Sequence, residues 1–177
     1  MATQSFKRPD SNEYYMGLAI AVRERANCKG SRVGAVLVLE DRVISTGYNG
    51  VPEGMTNCDD GGCLRCANRG KQFKAGTGYD VCICVHAEQN ALLTAARFGI
   101  EVQGASLYTT RQPCFGCAKE MLQARIQRVF YLHTWDPEQD LRSEYKKILK
   151  AIPEVCRIDV SDPHKDWSLG GERIVAA

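Results

Sequence analysis

No stretch of the chain has the character of a targeting or membrane segment. The leading residues MATQSFKRPDSNEYYMG hold no apolar core of the kind a secretory leader needs. No window approaches the roughly 20 apolar residues of a membrane span. Blocks of like charge are also missing, which removes support for a nucleic-acid arm or a polybasic membrane anchor. The formal net charge of +2 selects no partner. Internal repeats, low-complexity tracts and a domain boundary are absent as well. These absences leave one soluble, cytosolic domain over residues 1–177 as the expectation, long enough to bury a core.

Cysteine, by contrast, is abundant. The nine cysteines stand at 28, 58, 63, 66, 82, 84, 114, 117 and 156, and seven of them lie between 58 and 117. A reducing cytosol disfavours a disulfide framework, so clustered thiols there point to metal binding or to chemistry.

Between the cysteines the patterning alternates. Residues 11–26 place Tyr14, Tyr15, Leu18, Ala19 and Val22 at helical spacing behind Asp10 or Ser11 as a cap. Apolar runs at 33–39 and 43–49, separated by Glu40-Asp41, read as two strands joined by a tight turn. Residues 50–85 form a Cys-rich loop without periodicity, a length that is uncommon unless the loop is functional or pinned. Helices are expected over 86–98, 114–125 and 137–150, strands over 105–109, 129–132 and 155–160, and a polar tail from about 161. Strands alternating with helices argue an α/β domain with helices on both faces of one mixed sheet of about five strands.

Two short motifs carry the chemistry: His86-Ala87-Glu88 and Pro113-Cys114-Phe115-Gly116-Cys117, each opening a helix. Cysteines at i and i+3 share a helical face and can share a tetrahedral zinc, and a helix N-terminus favours the thiolate. His86 supplies a third ligand. Three protein ligands leave one position for water, the arrangement of catalytic zinc, which lowers the pKa of bound water toward about 7. Glu88, two residues beyond the ligand, is then placed as the proton shuttle. Taken singly these residues have plainer readings. Glu88 is a solvated helix residue, His86 a cap or core histidine, and Cys114 with Cys117 a redox pair or half a zinc ribbon. Their joint order and spacing favour the metal site and match the signature of zinc deaminases.

With these motifs, the sequence resembles the deoxycytidylate (dCMP) deaminase family of the cytidine-deaminase-like superfamily. The likeness runs from about Tyr14 to about His133. It is carried by Val33-Gly34-Ala35-Val36, Gly47-Tyr48-Asn49-Gly50-Val51-Pro52, His86-Ala87-Glu88-Gln89-Asn90-Ala91 and Pro113-Cys114-Phe115-Gly116-Cys117-Ala118. The resemblance implies a three-layer α/β/α sandwich and zinc-dependent hydrolysis of dCMP, or a 5-substituted dCMP, to the uridylate and ammonia, feeding thymidylate synthesis. It implies Asn49 on the sugar hydroxyl, the Ala87 backbone N–H on the base carbonyl, and Tyr131 against the base. It also implies a homo-oligomer with dCTP and dTTP as effectors. Read from the residues alone, Asn49 is a turn residue and Tyr131 a strand core residue. Arg32 and Arg111 border the motifs and either pair with the phosphate or sit as solvated surface arginines.

The loop cysteines suggest a second, structural zinc. Cys58, Cys63 and Cys66 are the expected ligands, with a fourth from Cys28, Cys82 or Cys84 and the remainder as bystanders. The plainer alternative treats them as small buried hydrophobes. Two rival functions are a base-editing deaminase acting on tRNA or single-stranded DNA and a non-enzymatic zinc module. The missing basic clusters argue against the first, and Glu88 argues against the second.

Overall fold

The apolar run Gly34–Leu39 forms β1, buried from Gly34 to Val38. At Glu40 and Asp41 the backbone takes φ of 50° and 58°, the left-handed signs that a type I′ hairpin turn demands. β2 (Arg42–Tyr48) returns antiparallel to β1, as expected. The computed structural model describes residues 7–73, 77–78, 81–137 and 139–170. Parts of the expected Cys-rich loop (74–76, 79–80), one residue of the helix expected over 137–150 (138) and the end of the expected tail (171–177) lie outside the described residues.

β3 (Ser106–Arg111), β4 (Arg128–His133) and β5 (Glu154–Arg157) complete a five-stranded sheet of order β2-β1-β3-β4-β5. β1 runs antiparallel to both its neighbours, and β3, β4 and β5 are mutually parallel, so the sheet is mixed. Because side chains alternate along a strand, each strand serves two cores. Ala35, Leu37, Leu107 and Val129 pack with Ala87, Ala91 and Ala95 of α3 (Ala87–Arg97) and Ala118 and Met121 of α4 (Phe115–Gln123). Ile148 and Leu149 of α5 (Arg142–Ala151) cover the edge of that cluster. Val36, Val38, Tyr108, Phe130 and Leu132 face the other way, onto Tyr15, Met16 and Ala19 of α1 (Ser11–Arg23). The result is the expected three-layer α/β/α sandwich. Among the described residues, no helix is long and apolar enough to cross a membrane.

Two glycines set how closely the helices approach the sheet. A Cβ on Gly47 would stand 2.2 Å from the Ala87 carbonyl oxygen and 2.4 Å from the Ala91 nitrogen. One on Gly34 would stand 2.2 Å from the Ala19 carbonyl oxygen. The α3 backbone therefore lies directly on β2, and α1 directly on β1. Gly47→Ala is expected to push α3 off the sheet and cost about 1–3 kcal/mol, read as a lowered thermal midpoint. An unchanged midpoint would contradict this contact.

Two regions differ from the sequence expectation. The Cys-rich loop contains one helical turn, α2 (Leu64–Ala67), and its neck is closed by paired hydrogen bonds between Gly50 and Val85 of 3.2 and 2.9 Å. The last strand stops at Arg157 instead of 160, and residues 158–170 form a packed segment, where a polar tail was expected from about 161. It includes α6 (Lys165–Ser168) with Trp167 buried. Charge holds it in place: Asp162 takes a bidentate bond from the fully buried Arg23 at 2.7 and 2.7 Å and meets His133 Nε2 at 2.6 Å.

Candidate active site

The first turns of α3 and α4 lie side by side at the carboxyl ends of the parallel strands. His86 is the N-cap of α3 and Cys114 the N-cap of α4, with Cys117 one turn further in. His86 Nδ1 lies 3.3 Å from Cys114 Sγ and 3.4 Å from Cys117 Sγ, and the two sulfurs are 3.6 Å apart. Zn–S bonds of about 2.3 Å and Zn–N bonds of about 2.0 Å at tetrahedral angles set ligand-to-ligand edges of about 3.5–3.8 Å. The three atoms therefore make one face of a zinc-sized tetrahedron whose fourth corner no protein ligand occupies among the described residues.

Residues next to the ligands fix this face. Gln89 accepts a hydrogen bond from the His86 N–H at 3.0 Å and donates to Glu120 of α4 at 2.8 Å, tying the two helix ends together. Asn90 donates to the Tyr48 carbonyl at 2.7 Å and ties α3 to the end of β2. Cys114 is lowered to about 4, chiefly by its hydrogen bond with Cys117, with His86 assisting against burial. His86 is pushed up to about 9: burial opposes its charge, and the hydrogen bond and charge of Cys114 overcome that. Glu88 is only 4% exposed, and burial pushes its carboxyl up to about 7 despite the opposing pull of His86.

These groups open onto a cavity of about 280 Å³. Its wall includes His86, Ala87, Glu88, Cys114, Asn49 and Arg111. As the first residue of α3, Ala87 has an N–H with no partner within the helix. Asn49 is buried, its Oδ1 accepting from the Val33 N–H at 2.7 Å and its Nδ2 donating to the Ser31 carbonyl at 2.8 Å. A carboxamide has two N–H donors and two acceptor lone pairs. Asn49 thus braces the loop before β1 and keeps one donor and one lone pair beyond those bonds.

Residues 9–133, which contain every one of these groups except the cavity wall beyond β4, match the cytidine and deoxycytidylate deaminase zinc-binding region. The chain belongs to this deaminase family. It is 45% identical over 127 residues to deoxycytidylate deaminase of Schizosaccharomyces pombe, covering 72% of this chain but 38% of the yeast protein. It is 42% identical over 129 residues to the deoxycytidylate deaminase of Mycobacterium phage D29, covering 70% of this chain and 95% of the phage one. Among solved structures it is similar to the dCMP deaminase of cyanophage S-TIM5 in complex with dCMP and dUMP. That likeness has a TM-score of 0.64 and 27% identity, over 86% of this chain and 100% of the other.

Two residues expected at the deaminase site are not brought to the cavity wall. Arg32 donates to the Trp167 carbonyl at 2.8 Å and stacks on the Trp167 ring at 4.7 Å, because α6 packs where solvent or phosphate was expected. Tyr131 lies two residues short of the end of β4, below the cavity, and Thr134, Trp135 and Asp136 supply the wall there. Sequence reasoning missed Trp135, Gln112, Arg65 and Arg69, which also line the cavity. Trp135 carried a usable signal, since it comes just after a parallel strand on the side where such sheets bind ligands. Arg65 and Arg69 stand in an aperiodic segment and carried none.

The loop cysteines gather into a buried lobe beside the cavity. The trio Cys58, Cys63 and Cys66 does not form one four-sulfur group. Cys58 joins Cys28, Cys66 and Cys84, whereas Cys63 joins Cys66, Cys82 and Cys84. The reason is local: Cys63 caps α2 and Cys66 stands one turn later, while Cys58 lies across the lobe, its sulfur taking the Lys29 N–H at 3.4 Å. Contacts of 3.6 to 3.8 Å between these sulfurs are far longer than a disulfide of about 2.05 Å. Cys156 stands apart and exposed on β5.

Proposed function

We propose that the chain is a zinc-dependent hydrolase that converts dCMP to dUMP and ammonia, with His86, Cys114 and Cys117 holding the metal and Glu88 carrying the protons. One observation carries the reading: a single cavity whose wall holds His86, Cys114 and the buried Glu88 together with Arg65, Arg69 and Arg111. Guanidinium groups beside a hydrolytic centre suit a substrate that ends in phosphate. The names of the yeast and phage relatives, and the ligands of the cyanophage structure, support the same substrate.

Zinc held by His86, Cys114 and Cys117 would supply hydroxide near neutral pH by lowering the pKa of water toward about 7. Glu88 takes one proton of the attacking water and delivers it to the ring nitrogen of cytosine as the hydroxide adds to the amino-bearing carbon. It then takes the proton of the added hydroxyl and passes it to the amine, so that the C–N bond breaks, ammonia leaves and the carbonyl forms. The Ala87 N–H meets the base carbonyl, and the remaining Asn49 donor or lone pair meets the sugar hydroxyl. Trp135 offers an apolar wall for the base, and Arg111 holds the phosphate in this reading.

Four further elements belong to the proposal. The lobe carries a structural metal, which its grouped thiols support. A homo-oligomer regulated by dCTP and dTTP rests on family membership and on Leu93 and Phe98, which expose apolar surface on and just after α3. A cytosolic location suits a chain whose nine cysteines are free thiols. The product feeds thymidylate synthesis.

Ammonia release from dCMP, dCTP, deoxycytidine, CMP and 5-methyl-dCMP tests the substrate. Turnover is expected to be highest on dCMP and at least tenfold lower on deoxycytidine, which lacks the phosphate. No turnover of dCMP overturns the reading.

A further inference from the structure

The six thiols of the lobe are more than one tetrahedral metal can use, and the way they group says how the surplus is employed. Two complete four-sulfur sets exist, each with all its sulfurs within 4.8 Å of one another. They are not alternatives built on different cysteines. They share Cys66 and Cys84 and divide the rest, with Cys28 and Cys58 on one side and Cys63 and Cys82 on the other. No four-sulfur set among the described residues mixes Cys28 or Cys58 with Cys63 or Cys82. This is the geometry of two tetrahedra joined along one edge.

We infer that the lobe holds two zinc ions as a binuclear thiolate cluster in which Cys66 and Cys84 each bridge both metals. Cys28 and Cys58 complete one ion, and Cys63 and Cys82 the other. Three sulfur contacts fit shared tetrahedra: Cys28 to Cys66 at 3.6 Å, Cys66 to Cys82 at 3.7 Å and Cys63 to Cys82 at 3.8 Å. An edge of a zinc–thiolate tetrahedron is about 3.8 Å. The bridges are protein thiolates, so no inorganic sulfide is required, and a soft, redox-inert dication satisfies both sites. Cys28, Cys58, Cys63, Cys66 and Cys84 are all buried, as a closed structural centre needs.

Two dications and six thiolates leave an excess of two negative charges. Arg65, buried one residue before the bridging Cys66, places a guanidinium in the lobe, where it donates to the Thr77 carbonyl at 3.1 and 2.8 Å. The cluster also has a place in the enzyme. Cys28, Cys82 and Cys84 form part of the cavity wall, and the bridging Cys84 stands two residues before the metal ligand His86. On this assignment none of the six is a bystander, and the lobe is organised by metal instead of by apolar side chains.

The inference deepens the structural-metal part of the proposed function and takes its total from that reading's catalytic ion. Elemental analysis of the zinc-loaded full chain is expected to give three zinc ions per chain. Two would overturn the binuclear assignment and leave a single structural ion, and one would remove the structural metal altogether; dCMP turnover in the same sample reports separately on the catalytic reading. Iron in place of zinc would also overturn it. Cys63→Ser and Cys28→Ser should each lower the count by one, whereas Cys66→Ser should lower it by two; a count insensitive to either of the first two means one shared ion. Reconstitution of the unaltered chain with cadmium-113 keeps the inference testable if a variant fails to fold. Two mutually coupled cadmium resonances from the lobe are expected, and a single resonance, or two without coupling, would contradict the bridging thiolates.

Discussion

Glu88→Gln is expected to lower dCMP turnover by about 10²–10⁴-fold, the range a positioned acid–base group contributes, while the zinc content stays at the unaltered level. Glutamine has the shape of glutamate and can still hydrogen-bond, but it cannot accept a proton from water and hand it on. The position leaves little room for a substitute. Glu88 is buried in the first turn of α3, beside both the triad and the substrate cavity. Water that entered in its place would be held by no other carboxylate on the cavity wall except Asp136, which lies on the loop after β4. His86→Ala provides the contrast, since it should abolish activity by losing the metal itself. If Glu88→Gln retained more than a tenth of the activity, the proton shuttle would have to be another group.

Asp162→Asn is expected to destabilise the chain by about 3–5 kcal/mol, the cost of leaving a buried charge without its partner. For a chain of this length that corresponds to roughly 6–20 °C in Tm. Arg23 is fully buried in α1, and its guanidinium is held in a two-pronged contact with Asp162. Burial alone would raise the Asp162 carboxyl, but the bonds from Arg23 and His133 more than reverse this and hold it well below the usual carboxylate range. A carboxylate lowered on folding stabilises the fold fully above its unfolded value of about 3.9. That contribution drains away as the pH falls through the folded value. The loss in Asp162→Asn should therefore be full at pH 7 and shrink in strong acid. Replacing the pair by apolar residues, Arg23→Met with Asp162→Leu, should recover most of the loss. A destabilisation below about 1 kcal/mol at pH 7 would place the pair in the class of weak surface bridges.

The Arg23–Asp162 pair also marks where the sequence stops being readable. Partners 139 positions apart leave no local pattern, and the segment carrying Asp162 is polar enough to pass for a tail. Local chemistry was legible. The apolar runs of β1 and β2, the Glu40-Asp41 turn and the helices opening at His86 and Cys114 all arise from local composition, turn residues and caps. The metal triad was legible because two ligands sit at i and i+3 and the third opens the neighbouring helix. What was not legible depends on packing between remote segments. Arg32 is taken up by α6, and Arg65 and Arg69 reach the cavity only because the cysteine lobe folds back on it. Gln89 and Asn90 belong to a recognisable motif, yet nothing local shows that each side chain joins α3 to a different element. The partition of the loop cysteines was equally hidden, since spacing alone gives no hint that Cys58 and Cys63 belong to different sets.

The Gly50–Val85 bridge has a consequence for how this chain can vary. It brings together the two ends of the segment between them, so that the excursion leaves the sheet and re-enters it at one place. Asn49 stands just before the bridge and His86 just after it. A closed neck of this kind isolates the reacting groups from the length of what lies beyond, and doubling a flexible loop costs only about 0.6 kcal/mol in closure entropy. Insertions or deletions within the lobe that spare its cysteines, Arg65 and Arg69 can therefore accumulate without shifting the two motifs relative to each other. The lobe is free to vary in length, and the register of the site across its base is not.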